Sequence, residues 1–208
     1  MRLSDMKTSP RLPGIRLAAG LALAAMLGAA AVDFLNNNGA FVEPAQAKGS
    51  QEMIKRGENL VTTMGCNDCH TPWKMGGQGH PEPDMSRMLS GHPATLQMPA
   101  PPTLPPGPWN WVGSATLTAF AGPWGVSYAP NLTPHDSGLG VWTEDMFVKA
   151  LQTGKHMGAG RPIAPPMPWM WYGKLPAEDL KAIYAYLMSI PPIENAAPQY
   201  QPAAHGQH

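Results

Sequence analysis

The chain has 208 residues, enough for one ordinary core but not for two once a leader is set aside. Fourteen Lys and Arg balance fourteen Asp and Glu, so net charge gives no sign of a nucleic acid or other polyanion as partner. With 13% charged residues, 25 prolines, 22 glycines and 14 methionines, the chain is rich in turns and irregular segments that need something to pack on.

The N-terminus carries Arg2, Lys7, Arg11 and Arg16, then the apolar run "LAAGLALAAMLGAAAV" from Leu17 to Val32, then "AQA" at Ala45 to Ala47. That order reads as an export signal, and the run is short against the roughly 20 residues a membrane span needs. Residues 1–47 are therefore expected to be a signal peptide. The long spacer from Asp33 to Pro44 leaves cleavage nearer Ala31, or retention as an N-terminal membrane anchor, as open alternatives. Loss of this segment removes four basic residues against Asp5, Asp33 and Glu43, and the remainder stays near neutral. The domain proper is expected over 48–195.

"SQEMIKRGENLVTTMG", from Ser50 to Gly65, reads as a helix with Ser50 as N-cap and Gly65 as stop. Met53, Ile54, Gly57, Leu60, Val61 and Met64 recur at three- and four-residue steps and mark its packed face. Gly57 costs such a helix about 1 kcal/mol relative to Ala and suggests close approach by a second helix.

The helix delivers "CNDCH", which holds both cysteines of the chain, Cys66 and Cys69, followed by His70. Four chemistries compete for it. A disulfide between residues three apart closes too small a loop to stabilise much, and a thioredoxin-like pair lacks a surrounding βαβ pattern. Zinc needs further ligands, and His80, His92, His135 and His156 form no second paired cluster. C-x-x-C-H is the signature of c-type haem attachment. There the two thiols become thioethers to the porphyrin vinyl groups and the imidazole an axial iron ligand, so no cysteine is left over. This reading, with one covalently bound haem c, fits an exported chain best.

From Thr71 to Pro130 twelve prolines fall in sixty residues, about four times ordinary usage, and no periodicity is visible. Its aromatic content is too high for plain disorder, so 71–130 is read as an ordered wrap over the haem or core, with "TLTAF" a short helix or strand. Trp109, Trp111, Trp124 and Trp142 are read first as core, with lining the haem as the alternative, and His80, His92, His135 and His156 as loop or surface residues, with one of them as a rival to methionine at the iron.

"WTEDMFVKALQTGK" has Thr143 as N-cap, Glu144 and Asp145 in the first turn and Gly154 as stop. In "GRPIAPPMPWMWYGK", Met167 is bracketed by Pro165, Pro166 and Pro168, which thin the loop's alternatives around a flexible thioether. Residue spacing leaves Met167, Met157 and Met170 open as a second iron ligand, beside a plain packing role. Arg161, close by, is a candidate partner for a haem propionate, with an exposed surface role as the alternative. "LPAEDLKAIYAYLMSIPP" gives a last helix starting at Pro176, with Leu180, Ile183, Tyr184 and Leu187 on its core face. Residues 196–208 read as a flexible tail.

This order of helix with C-x-x-C-H, loop, helix, Pro-flanked Met and final helix ending "AIYAYL" resembles the class I cytochrome c domain. "NLTPHDSGLGVWTEDMFVKALQTGKHM" and "PPMPWMWYGKLPAEDLKAIYAYLMSIPP" are similar to bacterial periplasmic or membrane-associated monohaem cytochromes c and to cytochrome subunits of dehydrogenases. The resemblance runs from Gln51 to Pro192, apart from the longer and more proline-rich 71–130 stretch. It implies an all-α fold around one haem, His70 and Met167 as axial ligands, and a crossing of the first and last helices with Gly57 near Ile183 and Tyr186.

The function expected is one-electron transfer between exported or membrane-bound redox proteins, with no nucleic acid involved. The rival is a haem subunit or enzyme with an open sixth site, peroxidase-like or dehydrogenase-associated. No phosphate loop, G-x-S-x-G elbow or H-E-x-x-H motif supports an independent catalyst.

Overall fold

A computed structural model describes residues 45–203, with side chains from Ser50 onward. The basic and apolar leader read as an export signal lies outside the described residues. By internal contact the chain divides after Lys48, and the core and the site both belong to the unit that begins at Gly49.

The helical frame follows the local signals except at its start, where the first helix begins at Ala45 and Ser50 lies inside it and not at its cap. Helix α1 spans Ala45–Thr63 and leads into the short α2, Cys66–His70, through Gly65, whose φ of 71° is left-handed. Helix α3, Glu144–Thr153, is capped by Thr143, whose hydroxyl accepts from the Met146 N–H at 3.2 Å. It ends at Gly154, left-handed at φ 67°, where an added Cβ would run into the Trp169 indole. Helix α4, Trp169–Tyr172, is one turn, and α5, Ala177–Leu187, begins one residue later than the sequence suggests, with Pro176 at the cap position.

Leu180, Ile183 and Leu187 bury the inner stripe of α5 against Val61, Leu89, Leu139, Phe147 and Leu151. Helices α1 and α5 cross at Gly57, where a Cβ would overlap the Ala182 carbonyl and lie 2.8 Å from Tyr186 Cβ. The glycine is there because backbone meets backbone. Beside the crossing, Arg56 on α1 pairs with Asp179 in the first turn of α5.

The expectation of an all-α fold is overturned by two small antiparallel sheets. Strands β1, Trp73–Met75, and β2, Pro81–Pro83, form one. The other has the order β3-β4-β5-β6, from Val112–Gly113, Ala119–Gly122, Gly125–Tyr128 and Gln201–Pro202. The "TLTAF" stretch thus ends in a strand. β4 and β5 pair with Gly122 opposite Gly125, so Pro123 and Trp124 make a two-residue hairpin loop. Strands of two to four residues carry no readable alternation, which is why the region looked aperiodic. β6 belongs to the segment after Pro192, which runs extended and adds its strand to the free edge of β5.

Candidate functional site

A cavity of about 280 Å³ lies within this unit. Its apolar walls come from α3, α5, the 129–142 segment and the sheet, with Leu132, Leu139, Phe147, Leu151, Ile183 and Leu187 among the lining side chains. Cys66, Cys69, His70, Arg161 and Met167 all line it. Three of these come from one short helix, the other two from the loop between α3 and α4.

His70 is 6% exposed. Its Nδ1 lies 2.9 Å from the Pro130 carbonyl, an acceptor only, so Nδ1 carries the proton and Nε2 keeps its lone pair. Burial pushes the imidazole below its ordinary pKa, while that hydrogen bond opposes the shift. The outcome is a neutral ring with one fixed tautomer, which is the form a metal ligand requires.

The backbone behind the ring is fixed as well. The His70 carbonyl accepts from Gly91 N–H at 2.7 Å, and His92 N–H donates to Ala129 O at 2.9 Å, next to the Pro130 that holds the ring. The buried Thr71 hydroxyl donates to Asn67 Oδ1 at 2.8 Å and accepts from Leu89 N–H at 2.9 Å. The sixty-residue excursion after the motif therefore returns to brace it.

The thiols are unbridged. Burial pushes Cys66 up to about 11, and burial followed by the neighbouring Asp68 raises Cys69. Reactive thiolates have lowered values, so the setting does not favour a redox pair. Among the described residues no group of three or more His, Cys, Asp and Glu side chains is arranged to hold a metal ion.

On the loop that carries Met167, the Pro165 carbonyl accepts from the Ser127 hydroxyl of β5. Ile163 N–H donates to Gly154 O at 2.8 Å. Past Met167, Tyr172 on α4 donates its hydroxyl to the Met64 carbonyl at 2.8 Å and ties this loop to the start of the cysteine motif. Of the rival methionines, Met170 is 49% exposed and Met157 sits in a 3₁₀ turn; neither lines the cavity. Arg161 donates to the Pro162 carbonyl at 3.1 Å and lies over the Tyr200 ring, 5.4 Å from its centroid.

Several residues depart from the first reading of the sequence. His156 lines the cavity, edge-on to Trp142 with ring centroids 5.0 Å apart, and Trp142 lines it too. His92 is fully buried with Nδ1 on the Thr118 hydroxyl at 2.9 Å, whereas Trp109 and Trp111 are exposed. Pro130, Tyr172 and Tyr200 were missed because they act through a carbonyl or a distant backbone partner, which leaves no motif.

Two thiols and an imidazole from one short helix, a thioether from a separate loop and an apolar interior fit a c-type haem in donor chemistry and surroundings. The cytochrome c family model matches residues 54–191, and the chain belongs to the cytochrome c family. It is accordingly a haem protein whose kind of work is electron transfer.

Among curated relatives it is 28% identical to the fructose dehydrogenase cytochrome subunit of Gluconobacter japonicus, over 76% of this chain and 26% of that protein. It is 29% identical to the cytochrome c subunit of the quinone alcohol dehydrogenase of Gluconobacter oxydans, over 86% of this chain and 29% of that protein. The gluconate 2-dehydrogenase cytochrome c subunit of Pantoea cypripedii is 28% identical over 75% of this chain and 27% of that protein. The chain thus spans less than a third of the length of these relatives. No helix among the described residues is long and apolar enough to cross a membrane.

Proposed function

We propose that the chain carries one haem c, joined through thioethers at Cys66 and Cys69, with His70 and Met167 as axial ligands. It relays single electrons from a dehydrogenase subunit toward an exported or membrane-bound acceptor. When bound, the haem supplies a metal that cycles between ferrous and ferric states. The protein's residues do the rest. Pro130 fixes the His70 tautomer, the Tyr172 hydroxyl joins the Met167 loop to the cysteine motif, and the apolar walls exclude water. Arg161 at the rim is suited to a propionate. Export through residues 1–47, with cleavage or with retention as an anchor, belongs to the same proposal, as does a domain over 48–195.

The observation that carries the reading is the shared cavity lined by His70 and Met167. A second reading rests on His156, which lines the same cavity and offers an imidazole in place of the thioether. Optical and redox titration of purified holoprotein distinguishes them. Met167→Ala is expected to abolish the far-red band implied by sulfur ligation, lower the midpoint potential and admit carbon monoxide to the reduced protein. His156→Ala should leave all three unchanged. The reverse pattern assigns His156, and ready carbon monoxide binding by the unmodified protein sinks the closed-carrier reading in favour of an open sixth site.

A further inference from the structure

The segment from Asn195 onward supplies no residue of the motif or of the hydrophobic core, yet it forms a wall of the cavity. Ala197, Pro198, Gln199 and Tyr200 all line it. The segment is fastened at both ends. At its start Asn195, 4% exposed, accepts from Ala94 N–H at 2.9 Å and Arg87 Nη2 at 3.2 Å, and its amide donates to the Ser90 and His92 carbonyls at 2.7 and 2.8 Å. Its own N–H donates to the Ser137 hydroxyl at 3.0 Å. A buried amide with every hydrogen-bonding group engaged is a fixed point.

At the far end Val126 pairs with Gln201 and Gly125 with Pro202. Ala203 N–H donates to the Trp124 carbonyl at 3.2 Å, and the Tyr200 hydroxyl donates to the same carbonyl. A Cβ on Gly125, whose φ is 104°, would overlap the strap backbone at Gln201, so β5 is cut to receive it. Tyr200 also meets the Met167 side of the cavity, because Arg161 lies over its ring. β5 meets that side through Ser127 and the Pro165 carbonyl. The strap and the loop carrying Met167 thus share one support.

We propose that residues 195–203 are a strap that seals the Met167 side of the haem cavity, with Tyr200 as its latch, and that its closure keeps the midpoint potential high and the sixth position closed. This rests on the haem and Met167 reading above. The physical cause is solvation: oxidation adds a positive charge within the cavity, and water admitted beside it favours the oxidised state.

The test uses mature holoprotein in three forms: the full chain, a chain ending at Ala196, and the full chain with Tyr200→Ala. Ending at Ala196 keeps Asn195 and its anchor. Midpoint potential, carbon monoxide binding by the reduced form, haem content after denaturation and helical circular dichroism are measured on each. Both variants are expected to keep covalent haem and helix content. Both should show a lowered potential and gain carbon monoxide binding, the shortened chain more strongly. An unchanged potential and no carbon monoxide binding in Tyr200→Ala overturn the proposal, even where the shortened chain fails to mature. Lack of covalent haem in the unmodified chain overturns the function proposed above instead, so the two failures are distinguishable.

Discussion

The two sides of the cavity are built in opposite ways. The side bearing His70 presents three chemical groups from five consecutive residues on one short helix. The side bearing Met167 is assembled from the 161–168 loop, β5 and the C-terminal strap, held together by contacts between residues far apart in sequence. A local element can be specified by a motif. A wall made by tertiary contacts is specified by shape, and each piece of it carries a smaller share of the information.

The sharpest break comes from removing the local side. Cys66→Ala with Cys69→Ala is expected to lose all haem on denaturation, read by haem staining after denaturing electrophoresis, while a variant of the other side, Met167→Ala, retains it. Next is the helix crossing that supports the cysteine helix. Gly57→Leu places a side chain where the Ala182 carbonyl lies and should cost about 1–3 kcal/mol in urea unfolding, well beyond the gain in helix propensity.

Smaller still is the single bond between the sides. Tyr172→Phe leaves the Met64 carbonyl without its hydroxyl donor and should cost about 1 kcal/mol, with a shift in potential that a purely structural bond elsewhere would not produce. The weakest effect lies outside both sides. Asp84 accepts from the Ser86 hydroxyl and backbone and from Lys74, and these contacts, Ser86 first, hold its carboxyl below the usual value of 3.8. A carboxylate lowered in the folded state contributes its stability above the unfolded pKa and loses it as pH falls through the folded pKa. Asp84→Asn should therefore flatten the acid limb of the stability curve by about half a kcal/mol, since the group lies near the surface.

What could be read in the sequence follows the same division. "CNDCH", the Thr143 cap, the Gly154 stop and the α5 stripe are local signals, and each element formed close to where its signal put it. Gly57 could be read as a crossing point because a glycine inside a helix calls for a steric reason. The four-stranded sheet could not be read, since β3 and β6 have two residues each and their partners are fixed by pairing. The brace on His70 was invisible for another reason. Pro130 acts through its carbonyl, and every residue has one. His156 and His92 looked alike in sequence, yet one lines the cavity and the other is shut inside the fold against a threonine hydroxyl.

The bond from Tyr172 to Met64 joins residues 108 apart, and closing a loop of that length costs about 4 kcal/mol of chain entropy before any contact is made. The three functional groups of α2 lie within five residues and need no such closure to be brought together. The expected order of assembly is therefore asymmetric: contacts local to the cysteine helix come at little entropic cost, and the methionine loop, which depends on distant partners, closes last.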